Sequence, residues 1–415
     1  MWRAVCALLV VTSCWSDDPL VDGELTADQL AALRHQLARP ATEPCDVPGL
    51  SGPMLQDRCD LAAQLGHELF FDVRLSNATG SDGKTVIPGT GKVSCGTCHD
   101  PNGYFVDTRE PNTVSMGQTK LTGRNTPTVL DIGLKYDEAH GQNVFAWSGA
   151  YATPGDVLDL ALRKAMSTTH ATVAATIKSE GIYMQQYGSL FGGLGSDDDV
   201  YKNGVIAFDA YFRQLSGTSP FDEYTAGNDA AISDAAKRGF GVFVGRGTCI
   251  ECHSGPAFTD LLLHNTGVEQ EPPAAGSDSG RGSGSADDPD NGKFITASLR
   301  NVLKTAPYMH DGAYGNLGEV IDFYRNGGGP DEYGTKDPRL QPIEITDDDA
   351  SDLEAFLAAL TDWQIAPSLR FALCVTRDYV GQLCDGTCLN VMSDPQNCGT
   401  CGRVCNGACM AGSCL

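Results

Sequence analysis

Two five-residue stretches, Cys95-Gly96-Thr97-Cys98-His99 and Cys249-Ile250-Glu251-Cys252-His253, decide how this chain folds. Each has the form Cys-x-x-Cys-His, which is the attachment signature of c-type haem. Two thiols three positions apart can both bond to one porphyrin, and the imidazole that follows can then bind its iron. A disulfide or half of a zinc site is the alternative for each pair. Two copies that both end in histidine favour haem, so two covalently bound haem c groups are predicted.

Similar sequences flank the two motifs. Gly66-His67-Glu68-Leu69-Phe70 precedes the first motif and Gly239-Phe240-Gly241-Val242-Phe243 precedes the second. Phe105-Val106-Asp107 follows the first and Phe258-Thr259-Asp260 follows the second. This order indicates an internal repeat. The predicted fold is mainly α: two cytochrome-c-like haem domains packed together, plus a small disulfide-rich module at the carboxy terminus.

Composition limits the partners. The chain has 415 residues and a formal net charge of −24, so binding to nucleic acid is not expected, since phosphate would be repelled. After the first fifteen residues no stretch is long and apolar enough to span a bilayer.

The amino terminus has the pattern of a signal peptide. Arg3 is followed by an apolar run and then by Val11-Thr12-Ser13-Cys14. Small residues before a cysteine resemble the lipobox of bacterial lipoproteins, which predicts a signal peptide over 1–13 and a lipid anchor on Cys14. Cleavage nearby by ordinary signal peptidase is the alternative. Either outcome places the protein in the periplasm or at the cell surface, where disulfides persist.

The remaining cysteines predict disulfides. Of sixteen cysteines, Cys45 and Cys59 flank a Pro/Gly-rich loop and are expected to pair with each other. Eight more crowd the tail that begins at Cys374, which predicts a disulfide-stapled module, with all-cysteine zinc sites as the alternative. The sequence from Asn397 to Gly402 and the closing Gly412-Ser413-Cys414 resemble small Stig1-like modules.

Helix signals divide the rest of the chain. A helix with Leu30, Leu33 and Leu37 on one face is predicted to start at a capping box formed by Thr26 and Gln29. Further helix starts are predicted at Ser196 and Thr346. The expected parts are an amino-terminal linker and helix over 14–54, haem domains over 55–225 and 226–366, and the cysteine-rich module over 367–415. Residues 276–292, rich in Gly, Ser and Asp, are expected to form a mobile surface loop.

Four further stretches carry a family resemblance. They are Gly123-Arg124-Asn125-Thr126-Pro127-Thr128, Trp147-Ser148-Gly149, Leu299-Arg300-Asn301, and the run from Thr305 to Gly312. In this order and spacing they resemble the bacterial di-haem cytochrome c peroxidase family, which includes the methylamine-utilisation enzyme MauG. The resemblance covers about residues 55 to 365.

The resemblance implies roles for particular residues. His99 would bind the iron of a peroxide-reacting haem, and His253 would bind that of an electron-transfer haem. Trp147 would lie between the two haems. A calcium ion would be held by Asn125, Thr305 and Pro307, and oxygen ligands are what Ca²⁺ requires.

The second ligand of the His253 haem stays open. Tyr324 lies at the family spacing beyond the Thr305–Gly312 run, where cytochrome-fed peroxidases have Met and MauG has Tyr. Met309 is the alternative ligand. Tyr324 also completes an i, i+3, i+4, i+7 apolar stripe with Leu317, Val320 and Ile321, so an ordinary core position is a third possibility. A Met ligand raises the haem potential, whereas a phenolate is expected to lower it.

The first haem site departs from the family pattern. The family places a Gln and a Glu in the helix that follows the tryptophan, and the helix expected here over 156–166 has neither. The nearest ionisable residues are Asp159 and His170. Met116 or Gln118 replaces a distal histidine found in some peroxidases, and His140 could approach the iron from a loop.

These features predict an exported, lipid-anchored di-haem oxidoreductase. Hydrogen peroxide would be reduced at the His99 haem, with electrons passed through the His253 haem. The electrons would come from a cytochrome, from a small copper protein, or from an oxidisable protein substrate as in MauG. The alternatives are a surface electron-transfer cytochrome without enzymatic activity and a structural disulfide-rich protein without haem.

Overall fold

The structure is a computed structural model. It describes residues 20–21, 25–40, 47, 49–79, 86–87, 93–109, 124–135, 145–268, 278–285, 287–330, 334–363 and 365, together with short backbone segments of the tail between 373 and 414.

The described chain is mainly helical, as predicted. Its α-helices are α1 (Ala27–Leu37), α2 (Leu55–Phe71), α3 (Cys95–Cys98), α4 (Pro154–Lys164), α5 (His170–Ser179), α6 (Gly181–Phe191), α7 (Asp197–Gln214), α8 (Pro220–Thr225), α9 (Asp234–Val244), α10 (Leu317–Arg325) and α11 (Asp347–Ala359). Short 3₁₀ turns occur at Val73–Leu75, Pro101–Gly103, Ile132–Lys135, Cys249–Glu251 and Val302–Lys304.

The strands are short and pair antiparallel. They are β1 (Leu20–Val21) with β2 (Leu25–Thr26), β3 (Ala78–Thr79) with β4 (Val86–Ile87), β5 (Leu263–His264) with β6 (Phe294–Ile295), β7 (Leu373–Val375) with β8 (Val380–Cys384) and β9 (Thr387–Leu389), and β10 (Cys409–Met410) with β11 (Ser413–Cys414). The last five strands lie in the cysteine-rich tail, whose side chains and disulfides lie outside the described residues.

Two apolar cores divide the described chain. The first lobe is defined by a core drawn from residues 47–215, and the second lobe by a core drawn from residues 25–37 and 221–360. Each core surrounds one Cys-x-x-Cys-His motif and is rich in aromatic side chains, which bury large apolar areas.

The same helix crossing builds each lobe. In the first lobe α2 crosses α7 at Gly66, where an added Cβ would lie 2.0 Å from the carbonyl oxygen of Ala207. In the second lobe α9 crosses α11 at Gly239, where an added Cβ would lie 1.9 Å from the carbonyl oxygen of Asp352. Only glycine permits such close backbone approach. The internal repeat noticed in the sequence is therefore a repeat of packing geometry.

The amino-terminal helix α1 packs on the second lobe, although the first lobe follows it in sequence. Its predicted capping box is present, since Gln29 N donates to Thr26 Oγ1 (3.2 Å) and Thr26 N donates to Gln29 Oε1 (2.9 Å). Leu30, Leu33 and Leu37 are buried in the second-lobe core. The described chain thus runs from the second lobe at α1 to the first lobe and then back to the second.

Other local predictions are confirmed. Capping boxes start α7 at Ser196 and α11 at Thr346. Cys59 is in a disulfide, while its predicted partner Cys45 lies outside the described residues. The signal peptide and Cys14 also lie outside them. Within the described part of the chain, no helix combines the length and apolar composition needed to cross a bilayer.

Candidate functional site

The first motif forms a single helical turn that aims its histidine inward. The turn α3 is capped at Ser94, whose backbone N donates to Thr97 Oγ1 (2.9 Å). Gly96 faces Phe71, since an added Cβ would lie 2.8 Å from that ring. The backbone N of His99 donates to the carbonyl of Cys95 (2.9 Å), so the histidine directly continues the turn. Both thiols and the imidazole therefore lie on one short, rigid segment.

The second motif has the same geometry. The backbone N of His253 donates to the carbonyl of Cys249 (2.9 Å), as its counterpart does in the first lobe. His253 Nδ1 is 3.0 Å from the carbonyl oxygen of Phe258. His99 Nδ1 is 3.0 Å from the carbonyl oxygen of Phe105. The two phenylalanines are the aromatic positions of the sequence repeat.

These contacts fix the tautomer of both histidines. A carbonyl can only accept a hydrogen bond, so Nδ1 of each ring must carry the proton and Nε2 keeps a free lone pair. Burial lowers the pKa of His99 and of His253, which keeps both imidazoles neutral. A neutral imidazole oriented by a backbone carbonyl is the arrangement that metal-binding histidines adopt.

The four motif cysteines are free thiols, so neither pair forms a disulfide. Burial raises the pKa of Cys95 and of Cys249 to about 12, which keeps both protonated. Free thiols beside a correctly oriented imidazole fit the attachment of haem c.

The zinc alternative lacks ligands in the described chain. Within the described residues, the group of His, Cys, Asp and Glu side chains close enough to hold a metal is Cys252 with Asp260 and His264. Both His264 nitrogens are already engaged: Nε2 lies 2.9 Å from Asp260 and Nδ1 lies 2.7 Å from Asp337. The described residues therefore do not complete a zinc site at either motif.

Aromatic side chains surround both motifs. Around the first motif, Phe70 packs edge-on against Phe105 (6.0 Å between ring centroids) and Tyr211 (5.4 Å). Around the second motif, Phe243 packs against Phe258 (6.0 Å) and Phe356 (4.9 Å). Such walls suit a porphyrin, which is flat, apolar and large.

Sequence reasoning missed a cation beside the first motif, although the repeat carried a signal for it. Asp107, the aspartate of the repeat, holds Arg109 (Nε 2.8 Å and Nη2 2.6 Å), and Arg109 Nη2 lies 3.3 Å from Cys98 Sγ. In the second lobe the matching aspartate, Asp260, holds His264 beside Cys252. The aromatic-x-Asp sequence that follows each motif was the available clue, since Asp107 lies eight residues after His99 and Asp260 lies seven after His253.

Tyr324 lies near the second motif. It is the last member of the apolar stripe on α10, of which Leu317 and Ile321 are buried in the second-lobe core. Burial raises the pKa of its hydroxyl, and interactions with the Cys252 and Cys249 thiols raise it further. The stripe thus faces the core, and its final residue reaches the motif.

Met309 lies in a turn at the junction of the lobes. Its φ of +70° is left-handed, and its carbonyl accepts a hydrogen bond from Gly312 N (3.3 Å). The next residue, His310, offers its carbonyl to the backbone N of Asn125 in the first lobe (2.7 Å). The turn that carries Met309 is therefore held against the other lobe.

Trp147 bridges the two lobes. Its indole Nε1 donates to the carbonyl of Asn125 (2.8 Å), and its own carbonyl accepts from Ile295 N of the second lobe (2.9 Å). The loop over residues 276–292, which was expected to be mobile, makes polar contacts with the first lobe through its described residues. Arg124 pairs with Asp278 (2.5 and 2.7 Å), and Arg281 Nη1 donates to the carbonyl of Gly149 (2.8 Å).

Two of the three expected calcium ligands meet at this junction. The side-chain nitrogen of Asn125, Nδ2, donates a hydrogen bond to the carbonyl oxygen of Pro307 (2.5 Å). The two ends of an amide are distinguished only by assignment, so the same position can direct an oxygen toward that carbonyl. Thr305 is half-buried two residues earlier.

The ionisable residues considered as partners for peroxide lie elsewhere. Asp159 pairs with Arg163 and accepts from the Tyr201 hydroxyl (2.7 Å). His170 Nδ1 lies 2.6 Å from Asp198, and its ring stacks on Tyr201 at 4.0 Å. Both side chains are partly exposed and already engaged, so neither is poised as an acid or base at the motif. Met116, Gln118 and His140 lie outside the described residues.

Comparison with known proteins gives concordant matches. Residues 61–230 match the family model described as di-haem cytochrome c peroxidase. The methylamine utilization protein MauG of Methylorubrum extorquens is 31% identical over 364 residues, covering 84% of this chain and 90% of that protein. The cytochrome c551 peroxidase of Pseudomonas aeruginosa is 27% identical over 352 residues, covering 83% and 89%. A crystal structure of a MauG-like protein associated with microbial copper homeostasis aligns with a TM-score of 0.62 at 28% identity, covering 80% and 97%.

Proposed function

Because this chain belongs to the di-haem cytochrome c peroxidase and MauG family, we propose that it reduces hydrogen peroxide at the haem attached to Cys95 and Cys98. Electrons would reach that haem through the one attached to Cys249 and Cys252. The observation that carries the proposal is the matched geometry of two motifs in one chain. Each has free thiols and a neutral histidine whose Nε2 is available to iron.

The overall reaction sets what the protein must supply. Reduction of one hydrogen peroxide to two waters consumes two electrons and two protons. Haem iron, when bound, supplies the redox chemistry. His99 and His253 would bind the two irons, the aromatic walls would exclude water, and Trp147 would join the lobes through its hydrogen bonds to Asn125 and Ile295. Fixed separation matters because electron transfer depends steeply on distance.

The first experiment tests peroxide chemistry at the first motif. Purified haem-loaded protein treated with hydrogen peroxide should show a change in its haem spectrum. His99→Ala should lose that change, because the imidazole that binds the first iron is gone. His35→Ala is a matched control, since His35 is exposed on α1. A first haem that stays unreactive to peroxide in every redox state would refute the proposal.

The second proposal concerns Tyr324 as the distal ligand of the His253 haem. Its position beside the Cys252 and Cys249 thiols supports it. Iron binding would have to displace the phenol proton of Tyr324. Burial disfavours the loss of that proton, and the positive charge of the iron would provide the driving force for it. A phenolate ligand favours the oxidised iron, which suits a MauG-like enzyme that oxidises a protein substrate rather than a peroxidase fed by a cytochrome.

A spectroscopic comparison tests this ligand. Wild-type protein should show a tyrosinate-to-iron charge-transfer band that Tyr324→Phe removes, and Tyr324→Met should raise the potential of the second haem. Met309→Leu should leave the band in place. A band that survives Tyr324→Phe, or a ligand change in Met309→Leu, would contradict the assignment.

A calcium ion at the lobe junction is the third proposal, with Asn125, Thr305 and Pro307 as ligands. The support is the close approach of the Asn125 amide to the Pro307 carbonyl. Chelation should lower thermal stability and slow electron transfer between the haems, and added Ca²⁺ should restore both. Asn125→Ala should weaken Ca²⁺ binding measured by calorimetry. Metal analysis that finds no calcium in protein purified with calcium present would reject this site.

Export and lipid attachment are proposed from the amino-terminal sequence. The lipobox-like Val11-Thr12-Ser13-Cys14 supports a lipid on Cys14. The mature protein should then fractionate with membranes, and Cys14→Ser should release it. Intact-mass analysis of the mature chain should show two haem additions and the lipid. A mature chain without the lipid mass would refute the lipid anchor, while the proposed periplasmic location would still stand.

A non-enzymatic electron-transfer cytochrome is the alternative function. It is favoured by one observation: Asp159 and His170 are engaged with Arg163 and Asp198 rather than directed at the first motif. Steady turnover of peroxide with a reduced donor separates the two functions. A cytochrome would exchange electrons with the donor and leave peroxide unconsumed.

A further inference from the structure

A buried cluster of charged residues lies where the two lobes meet, and the chemistry described so far does not use it. We call it the junction cluster. Its members come from five separate parts of the chain: Arg39, Asp131, Asp222, Arg300, Asn301 and Asp362.

Arg39 is the centre of the junction cluster. It follows α1, which packs on the second lobe, and its guanidinium contacts three carboxylates. Nη1 lies 2.5 Å from Asp131, Nη2 lies 3.1 Å from Asp362, and Nε lies 3.3 Å from Asp222. Asp131 belongs to the first lobe, where its backbone N donates to the carbonyl of Leu215 (2.9 Å). A single guanidinium thus ties the lobes together.

Asp131 and Asp362 share a second hydrogen-bond donor. Asn301 Nδ2 lies 3.1 Å from Asp131 and 3.2 Å from Asp362, and Asn301 Oδ1 accepts from the backbone N of Asp362 (2.7 Å). Gly217 N also donates to Asp362 (3.2 Å). The two carboxyl side chains are only 1% and 0% exposed. Two buried carboxyl groups held by the same amide and the same guanidinium cannot both ionise without strong repulsion.

The charges of the junction cluster do not balance when all three carboxyl groups are ionised. Arg39 and Arg300 supply two positive charges, and Asp131, Asp222 and Asp362 supply three negative ones. Arg300 Nη1 lies 2.7 Å from Asp222, so that carboxylate is matched by its own cation. The unmatched negative charge falls on Asp131 and Asp362, and a single bound proton would neutralise it.

Other groups facing the pair favour the same assignment. Burial opposes ionisation of Asp222, but Arg300 and Arg39 hold its pKa below its usual value. Burial, followed by the charge of Asp131, raises the pKa of Asp362 to about 7. Lys135, which lies outside the cluster, interacts with the charge of Asp131, and burial lowers the pKa of that lysine to about 8. Its positive charge below that pH favours an ionised Asp131, which leaves Asp362 as the carboxyl that holds the proton.

The junction cluster contacts the loops that hold both histidines. The Tyr104 hydroxyl donates to the carbonyl of Asp362 (3.2 Å), and Tyr104 precedes the residue whose carbonyl orients His99. Arg300 Nε donates to the carbonyl of Pro256 (2.8 Å), two residues before the carbonyl that orients His253. Hydrogen bonds therefore connect the cluster to both metal-binding loops.

We propose that Asp131 and Asp362 form a proton-binding site shared by the two lobes, and that one proton is taken up there when the haems are reduced. The inference rests on the proposed function for its two haems. Adding an electron to either iron makes a nearby negative charge less favourable, so the pair binds its proton more tightly. By linkage, the bound proton raises the haem potential in return. The reduced enzyme would then meet peroxide with one of the two required protons already inside the protein.

Infrared spectroscopy of the full haem-loaded chain at controlled electrode potential tests the proton directly. The oxidised protein should show a protonated-carboxyl band that is lost between about pH 5 and about pH 9. Reduction at a fixed pH near the middle of that range should increase the band. A protein with no such band at any pH overturns the inference, and a band that ignores the electrode potential overturns its coupling to the haems.

Variants assign the band. Asp362→Asn should remove it and flatten the dependence of both haem potentials on pH. Asp131→Asn removes the neighbouring charge and should therefore move the loss of the band to lower pH. This variant tests the assignment independently of whether Asp362→Asn folds. Asp352→Asn is the matched control, since Asp352 pairs with Arg238 outside the cluster, and it should behave as wild type. A band retained in Asp362→Asn overturns the assignment. Loss of peroxide turnover with the band intact would instead refute the proposed function and leave the proton site standing.

Discussion

The substitution Gly239→Ala tests the helix crossing that builds the second lobe. An added Cβ would lie 1.9 Å from the carbonyl oxygen of Asp352. Carbon and carbonyl oxygen need about 3.3 Å, so α9 and α11 would have to separate by roughly 1.4 Å. That shift would loosen the packing of Phe243 on Phe356, whose ring centroids are 4.9 Å apart.

The magnitude follows from two opposing effects. Overpacking against a fixed backbone costs about 3 kcal/mol, while replacing glycine by alanine inside a helix returns about 1 kcal/mol. The net loss of unfolding free energy is about 2 kcal/mol, which lowers the melting temperature of a lobe of this size by roughly 4–8 °C. Gly66→Ala should behave alike in the first lobe, because its added Cβ would lie 2.0 Å from the Ala207 carbonyl oxygen.

Thermal unfolding followed by circular dichroism and by haem absorbance measures the effect. Gly188→Ala is the matched control, since Gly188 lies in α6 with nothing within 4 Å of an added Cβ. That variant should gain up to about 1 kcal/mol. If Gly239→Ala proved as stable as Gly188→Ala, the close crossing of α9 and α11 would be wrong.

Three further perturbations have defined outcomes. The pKa of Asp362 is raised to about 7, so the stability this group contributes is full below about pH 4 and is lost as pH rises to about 7. Asp362→Asn should abolish that loss, which amounts to ~4 kcal/mol, as measured by denaturant titration across the pH range. Cys59→Ser should cost about 3 kcal/mol by removing a disulfide, and Cys45→Ser should match it in the same assay. Thr346→Ala should cost about 1 kcal/mol by removing the cap of α11, and Thr346→Ser should restore it.

Local features of the fold could be predicted from sequence because their causes are local. The capping box at Thr26 and Gln29 needs only neighbouring residues, and so does the helix start at Ser196. The attachment motifs likewise contain all their thiols and the imidazole within five residues. The packing of α1 on the second lobe could not be predicted in this way, because α1 is followed in sequence by the first lobe and meets the second only in the folded chain.

The repeat held more information than its aromatic positions. The carbonyls of Phe105 and Phe258 orient the two histidines, and Gly66 and Gly239 permit the two helix crossings. These roles are backbone roles, so side-chain chemistry did not reveal them. The junction cluster was invisible for a different reason: its charged residues, such as Arg39 and Asp362, are ordinary in composition and become neighbours only in the folded chain.

The way the lobes are joined determines how they can be uncoupled. Each lobe has its own apolar core, and the described contacts across the junction are largely hydrogen bonds and ion pairs, including Trp147 to Ile295, Asn125 to Pro307, and Arg39 to its carboxylates. Polar contacts are sensitive to charge in a way that apolar packing is not. A change of one charge at Asp362 can therefore alter how the two metal-binding loops are held while both cores stay folded. In an enzyme that moves electrons between two irons, such a junction would let proton binding at Asp362 act on electron transfer through the loops that orient His99 and His253.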